Sequence, residues 1–240
     1  DFDRMAERLE TLVESQRRLL ADISHELRSP LARLAVASEL AQQDAGPAAQ
    51  PSLQRIDMEA NRMNELIAQL LTFTRLENGL ANAEWERFNL ASLVQEIAAN
   101  ADFEAIAQQC RVTAQTPSEA WMWGSLPLTE RAIENVVRNA VRYTLPGTQV
   151  DVHLACSPTF AVLTVHDHGP GVPEEFLSHL CDPFYRVDGA RNGNGVGLGL
   201  SISKRAVETH GGELIISNGD QGGLVVEIQL PLSTQTRFEE

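Results

Sequence analysis

Apolar residues recur at alternating steps of three and four through the first third of the chain. Phe2, Met5, Leu9, Leu12, Leu19, Ile23 and Leu27 form one such row, interrupted by Gln16. This is a heptad seam with one polar member, and it predicts a helix from residue 1 to about 45. Asp44-Ala45-Gly46-Pro47 supplies the stop, glycine and proline being helix terminators. A second row, Leu53, Ile56, Ala60, Met63, Ile67 and Leu70, predicts a helix over about 52–78. Leu66, Leu71, Phe73 and Leu76 widen its apolar face, and Asn78-Gly79 ends it. Two such helices joined by a turn cannot bury so wide a face between them. Pairing two hairpins in a four-helix bundle does bury it, so the pattern predicts a homodimer. A bundle with the C-terminal region of the same chain is the alternative. The seam's continuation N-terminal of the hairpin partner disfavours it.

From about residue 88 the periodicity changes. Helical spacing over 90–109, 126–143 and 198–209 alternates with runs suited to strands at 111–115, 121–123, 149–156, 160–166, 213–217 and 224–230. Ser157-Pro158 reads as the turn between two of these strands. Strands and helices at these spacings predict an α/β sandwich, with helices over one face of a sheet. The fold class is therefore α+β: a helical hairpin that dimerises into a four-helix bundle, then an α/β sandwich.

Charge narrows the functions available. Asp and Glu number 33 against 19 Lys and Arg, a formal net charge of −14. A nucleic-acid binder needs a basic face to displace counterions, and adhesion to an anionic membrane needs the same. Cys110, Cys156 and Cys181 are odd in number and in no C-x-x-C pattern, which fits a reducing cytosol better than a disulfide framework. No apolar run approaches the roughly 20 residues of a membrane span. The chain carries no signal-peptide pattern and opens mid-pattern without Met, so it reads as a soluble piece of a longer protein.

Candidate chemistry begins at Ser24-His25-Glu26-Leu27-Arg28-Ser29-Pro30. A histidine accepts a phosphoryl group when one ring nitrogen is free and a carboxylate holds the other. Glu26 is the neighbour for that task. Pro30 has no N–H for the carbonyl of Glu26, so the helix should loosen just past the histidine. His25 lies two residues beyond the seam residue Ile23, about 200° round the helix, and should face solvent.

A second constellation lies in the C-terminal region. Asn135, Asn139 and Arg142 recur at steps of four and three on the 126–143 helix, flanked by Tyr143, with Ile133, Val136, Val137 and Ala140 opposite. Carboxamide oxygens suit Mg²⁺ and a guanidinium suits phosphate, although a solvated helix face shows the same spacing. Asp167-His168-Gly169-Pro170-Gly171 follows an apolar strand. A carboxylate there can meet the exocyclic amine of adenine while Gly169 and Gly171 let the backbone turn. Gly193-Asn194-Gly195-Val196-Gly197-Leu198-Gly199 opens a helix, where backbone N–H groups favour anions. It matches neither G-x-G-x-x-G after a strand nor a P-loop. The long segment between these glycines carries Phe176, Pro183, Phe184, Tyr185, Arg186 and Arg191 and has the length of a lid. So acidic a chain that binds ATP must gather its positive charge locally and recruit a metal ion against the phosphates.

In order and spacing these motifs resemble the sensor histidine kinases of two-component signalling. Residues 24–30 resemble that family's H-box, 135–143 its N-box, 167–171 and 193–200 its two glycine boxes, and 176–186 its F-box. The context 21–34 resembles the envelope-stress (Cpx-like) branch, and 1–12 the tail of a HAMP signal-relay module. The resemblance implies a relay linker at 1–14, a dimerisation and phosphotransfer hairpin at 15–80, a linker at 81–87 and a Bergerat-type ATP-binding domain at 88–240. It implies His25 as phosphoryl acceptor through Nε2, with Glu26 on Nδ1–H. Asn139 would ligate Mg²⁺ with support from Asn135, and Arg142 and Tyr143 would contact phosphates. Asp167 would bind adenine, Gly169, Gly171, Gly195, Gly197, Leu198 and Gly199 would line the nucleotide, and Arg186 would stabilise the transferring phosphoryl. Ser29, where the family usually has Thr or Asn, would orient water for phosphatase action on a response regulator. Ser125 in place of Asp, and Cys181 in place of Phe, are two further departures; the latter predicts a looser lid. The implied whole is the cytoplasmic part of an inner-membrane sensor that uses ATP and Mg²⁺, dimerises, and serves a response-regulator receiver domain. An ATPase of the chaperone or topoisomerase kind, and a dimeric scaffold without catalysis, are the rivals.

Overall fold

The computed structural model describes residues 50–77, 84–187, 197–220 and 222–232, together with residues 31, 32, 34, 36, 38, 39 and 41. The chain divides into two compact units, Asp1–Leu80 and Ala81–Glu240.

In the first unit the described positions between 31 and 41 are helical, and α1 runs Gln50–Glu77. Leu31, Ala60 and Ile67 bury one another, with Leu71 against them. Ser38 Oγ donates to the carbonyl of Leu53 at 3.3 Å. Pairing 31 with 60–71 and 38 with 53 makes the two segments antiparallel, as the two periodic rows predicted. Other seam residues stay in solvent: Ile56 and Met63 are 42% and 46% exposed. None of the described helices is long and apolar enough to cross a membrane.

The second unit begins with β1 (Glu86–Asn89), which pairs antiparallel with β3 (Trp121–Gly124) in a small sheet. Glu86 and Arg87 therefore lie in a strand, although the sequence reads there as linker. Their polarity hides the strand, because only Phe88 is buried. The main sheet has five strands in the order β2 (Arg111–Gln115), β4 (Gln149–Cys156), β5 (Phe160–His166), β7 (Leu224–Pro231) and β6 (Glu213–Asn218). β2 and β4 are parallel and the other pairs antiparallel.

Alternation sets the two faces of the sheet. Val152, Leu163, Val165, Val226 and Ile228 are buried on one face, where α2 (Leu90–Ala105), α3 (Leu126–Tyr143) and α5 (Gly199–Thr209) supply Val94, Ile133, Val137 and Ile202. Their neighbours on the other face are exposed or half-buried. This is the predicted sandwich, with helices over one face.

Side chains fix the junctions. Asn89 Oδ1 caps α2 by accepting from Ala91 N–H at 3.0 Å, and also accepts from Ala120 N–H at 2.9 Å. Asp102 Oδ1 accepts from Val112 N–H at 2.8 Å and Arg111 Nε at 2.9 Å, clamping α2 to β2. The backbone donor at Val112, then Arg111, holds this carboxyl below its ordinary range. The helix expected to reach 109 ends at Ala105. Ile106–Gln108 continues as a 3-10 turn, and Gln109 takes a left-handed φ of 59°. The carbonyl of Ala105 then receives Cys110 N–H, which turns the chain into β2.

Candidate functional site

The candidate site is built at the C-terminal half of α3. Its apolar stripe is sunk in the core, Val136, Val137 and Ala140 being buried. Asn135, Asn139 and Arg142 occupy the half-buried margin beside it. Asn135 Nδ2 is buried without a hydrogen-bond partner among the described residues. A buried amide donor left unsatisfied is costly, and an acceptor at this margin, such as a phosphate oxygen, would relieve it. The carboxamide oxygens suit a hard cation and the guanidinium a phosphate, since Mg²⁺ takes one or two protein oxygens and keeps the rest of its shell for phosphate and water. Arg142 Cζ lies 5.7 Å from the ring centroid of Tyr143.

Across from α3 stands Asp167, one residue beyond β5 and 3% exposed. Its Oδ1 accepts from Gly169 N–H at 2.8 Å and Leu224 N–H at 3.2 Å. Neither of these bonds uses Oδ2. Burial raises the carboxyl above its ordinary range, against the two backbone donors and the nearby His166 and His168. An amine donor would therefore meet a desolvated acceptor held by two backbone bonds.

Glycine is required around this carboxylate. A Cβ on Gly169 would run into the carbonyl of Tyr143, so the strand end and the α3 C-terminus touch backbone to backbone. Gly223, at φ 78°, lies against the carbonyl of Asp167 in the same way. Gly171 turns the chain beside Asn218, whose Oδ1 accepts from Val172 N–H at 2.9 Å while its Nδ2 donates to Val172 O at 2.7 Å.

The second glycine segment meets both α3 and the expected lid. A Cβ on Gly199 would sit 3.8 Å from Asn135 Cγ, which places the N-terminus of α5 against the polar margin of α3. Leu198 is buried. Phe184 N–H donates to Gly197 O at 2.9 Å, with Phe184 itself at φ 64°. The lid segment is not loop throughout, since α4 (Glu174–Leu177) and successive turns occupy it to Phe184. Cys181 is half-buried there, and burial pushes its thiol up to about 11. Arg186 is half-buried near the end of the described part. The structure thus brings together Asn135 and Gly199, Gly197 and Phe184, and separately Tyr143, Asp167 and Gly169. His25, Glu26, Ser29, Arg191 and Gly195 lie outside the described residues.

Comparison with known proteins places this architecture. Residues 15–79 match the His Kinase A (phospho-acceptor) domain, and residues 124–234 match the histidine kinase-, DNA gyrase B- and HSP90-like ATPase. The chain belongs to the sensor histidine kinase family. Sensor histidine kinase CpxA of Escherichia coli is 38% identical over 96% of this chain and 50% of that protein. The sensor protein kinase PmrB of Pseudomonas aeruginosa is 34% identical over 96% of this chain and 49% of that protein. The chain spans about half the length of the curated relatives it matches. Among solved structures, full-length ShkA in complex with AMPPNP has the same fold, with a TM-score of 0.77 at 23% identity over 90% of this chain and 46% of that one. The mycobacterial sensor histidine kinase MprB follows at TM-score 0.57 and 26% identity, over 62% of this chain and all of that one.

Within this kinase family fold, three side chains that shape the site had no motif to announce them. Thr144 Oγ1 accepts from His168 N–H at 3.1 Å, joining the α3 C-terminus to the first glycine box. Asn218, at the end of β6, holds Val172 as described. His210 is buried just after α5. Its Nδ1 donates to Ala206 O at 2.7 Å, so Nε2 is the acceptor for Ser125 N–H at 2.9 Å. Burial lowers the His210 pKa, against these two backbone bonds. Ser125, the residue standing where the family has Asp, thus joins the start of α3 to the end of α5 through its backbone. A Cβ on Gly124 would come within 2.7 Å of the same ring.

Proposed function

We propose that this chain is the catalytic core of a sensor kinase: it binds ATP in the second unit, phosphorylates its own His25, and passes the phosphoryl group to an aspartate of a response regulator. The observation that carries the reading is Asp167, a buried carboxylate with Oδ1 committed to two backbone donors and Oδ2 left over, at a strand end walled by obligatory glycines. Such an acceptor suits the exocyclic amine of adenine. Asn139, with Asn135 beside it, would hold Mg²⁺, which would supply charge neutralisation on the phosphates. Arg142 and Tyr143 would bind phosphate oxygens. Gly169, Gly171, Gly195, Gly197, Leu198 and Gly199 would line the nucleotide, and Arg186 would stabilise the transferring group. His25 would attack through Nε2 while Glu26 holds Nδ1–H, and the γ-phosphoryl would leave the β-phosphate oxygen for the imidazole nitrogen. Ser29 would orient water for dephosphorylation of the regulator.

The proposed division is a relay linker at 1–14, a phosphotransfer hairpin at 15–80, a linker at 81–87 and the ATP-binding domain at 88–240. Ile56 and Met63, apolar at heptad spacing and exposed within one chain, support a homodimer through the hairpin. The proposed location is the cytoplasmic side of an inner-membrane sensor, a reading that likeness to sensor kinases such as CpxA supports.

Incubation with γ-labelled ATP and Mg²⁺ tests the reading. Acid-labile, base-stable label is expected on the native chain and absent from His25→Ala, which still binds ATP. Label retained in His25→Ala, or ATP binding lost with it, overturns the assignment. Phosphate released to solution with no labelled protein would favour a hydrolytic ATPase instead.

A further inference from the structure

The strand end that presents Asp167 to the groove presents two histidines to the opposite side. Along β5 side chains alternate, so His166 and His168 share the sheet's helix-free face while Asp167 points into the buried one. Asp151 on β4 is the cross-strand partner of His166, and Thr113 on β2 is the partner of Asp151. The three residues are each half-buried, and one ligand atom from each lies within 4.8 Å of the other two. The imidazole centroids are 4.6 Å apart, and His168 Nε2 is 3.8 Å from Asp151 Oδ2.

The surrounding bonds decide which ring nitrogens carry protons. His168 Nδ1 is 2.8 Å from the carbonyl of Gln149. A carbonyl only accepts, so Nδ1 carries the proton and Nε2 the lone pair. His166 Nε2 is 2.9 Å from the carbonyl of Gly222, which leaves the lone pair on Nδ1. Asp151 Oδ1 accepts from Thr113 Oγ1 at 3.0 Å and from Gln149 Nε2 at 2.7 Å. The 3.8 Å separation is too long for a hydrogen bond. In the neutral rings His168 thus turns a lone pair toward Asp151 Oδ2 and His166 keeps a second on Nδ1, each ring oriented by a backbone carbonyl and the carboxylate by Thr113 and Gln149. That is the arrangement of metal-binding histidines whose second nitrogen is held by a backbone carbonyl.

We propose that Asp151, His166 and His168 form a binding site for a divalent transition-metal ion of the zinc class, on the face of the sheet away from the nucleotide groove. Two imidazoles select such an ion over Mg²⁺ or Ca²⁺, which take oxygen ligands. Zinc ligands at about 2.0–2.2 Å stand about 3.3 Å apart at tetrahedral angles, so side-chain movements of about an ångström close the site. Water completes the shell, since the three residues are open to solvent.

The test uses the full chain, stripped with a chelator and titrated with Zn²⁺ against a chromophoric competitor, and with Co²⁺ for its visible spectrum. One ion per chain is expected, with cobalt bands lacking thiolate charge transfer, which sets the site apart from the cysteines. The His166→Gln/His168→Gln double variant should lose this binding while keeping the metal-free melting temperature. Thr113→Val, which removes only a neighbour's bond to Asp151, should weaken it about tenfold. Absence of Zn²⁺ binding, a thiolate band, or undiminished binding in the double variant overturns the proposal. If the double variant does not fold, Asp151→Asn and Thr113→Val decide, and Zn²⁺ affinity unchanged in both overturns it equally.

Discussion

The hairpin unit and the ATPase unit are stabilised differently. Among the described residues of the first, Leu31, Ala60 and Ile67 pack one helical segment on the other, and seam residues such as Ile56 and Met63 stay in water. In the second, five strands are sealed by three long helices, and side chains such as Asn89, Asp102 and His210 tie elements distant in sequence. The helical unit therefore leaves a periodic row that a second copy can cover, whereas the ATPase unit closes a core of its own and leaves only scattered apolar side chains such as Phe103 and Ile106 in solvent. Regularity is what makes the first shareable. Irregular, close-fitting contacts are what make the second self-sufficient.

The sharpest way to break this contrast is Gly223→Ala. A methyl there meets the carbonyl of Asp167 at a left-handed φ, so a loss of about 2–5 kcal/mol is expected in the ATPase unit alone. Calorimetry of the whole chain should show that unit melting early with helical signal retained; a single, shifted transition would mean the two units unfold as one. Asp167→Asn should weaken nucleotide binding by about 1–3 kcal/mol without changing the melting temperature comparably, as read by titration calorimetry. Ile56→Asp with Met63→Asp should shift sedimentation from dimer to monomer and leave ADP affinity within about twofold, because neither residue lies in the ATPase unit. Persistence of the dimer would move the interface elsewhere.

The smallest effect concerns pH. His210 has a lowered pKa in the folded state because it is buried neutral. The unfolded chain then binds the extra proton first. Stability of the ATPase unit should fall as pH drops below about 6.5, the ordinary histidine value, until the folded-state pKa is reached. His210→Gln should flatten that slope in melting curves between about pH 7 and 5, at some cost in stability for the Ser125 N–H it leaves behind. An unchanged slope would assign the acid sensitivity to other groups.

What could be read from the sequence follows the same division. Period-two runs located β4 and β5 at 149–156 and 160–166, because each has one face sealed in the core. Period 3.6 located α3 for the same reason. β1 escaped because a strand with one buried residue has no alternation to show. α4 escaped because four residues are too few for a helical period. Within the candidate site, Gly169, Gly171 and Gly197 stood out as glycines clustered beside a strand end or a helix start, and close neighbours leave no room for a Cβ at each; Asp167 stood out because it stands two residues before the first of them. His210, Asn218 and Thr144 did not. Each acts on a partner 85, 46 or 24 residues away, and nothing local distinguishes such a histidine, asparagine or threonine from one in solvent.

The alternation at His166-Asp167-His168 also separates two kinds of genetic change. A substitution here removes one chemistry and leaves the others standing. A residue inserted or deleted between Val165 and Gly169 does something else, since a shift of one position turns every following side chain over. The carboxylate would leave the groove for the open face, and an imidazole would enter in its place. Length between β5 and the first glycine is thus under tighter constraint than composition, and variation in this segment should proceed by replacement at fixed spacing.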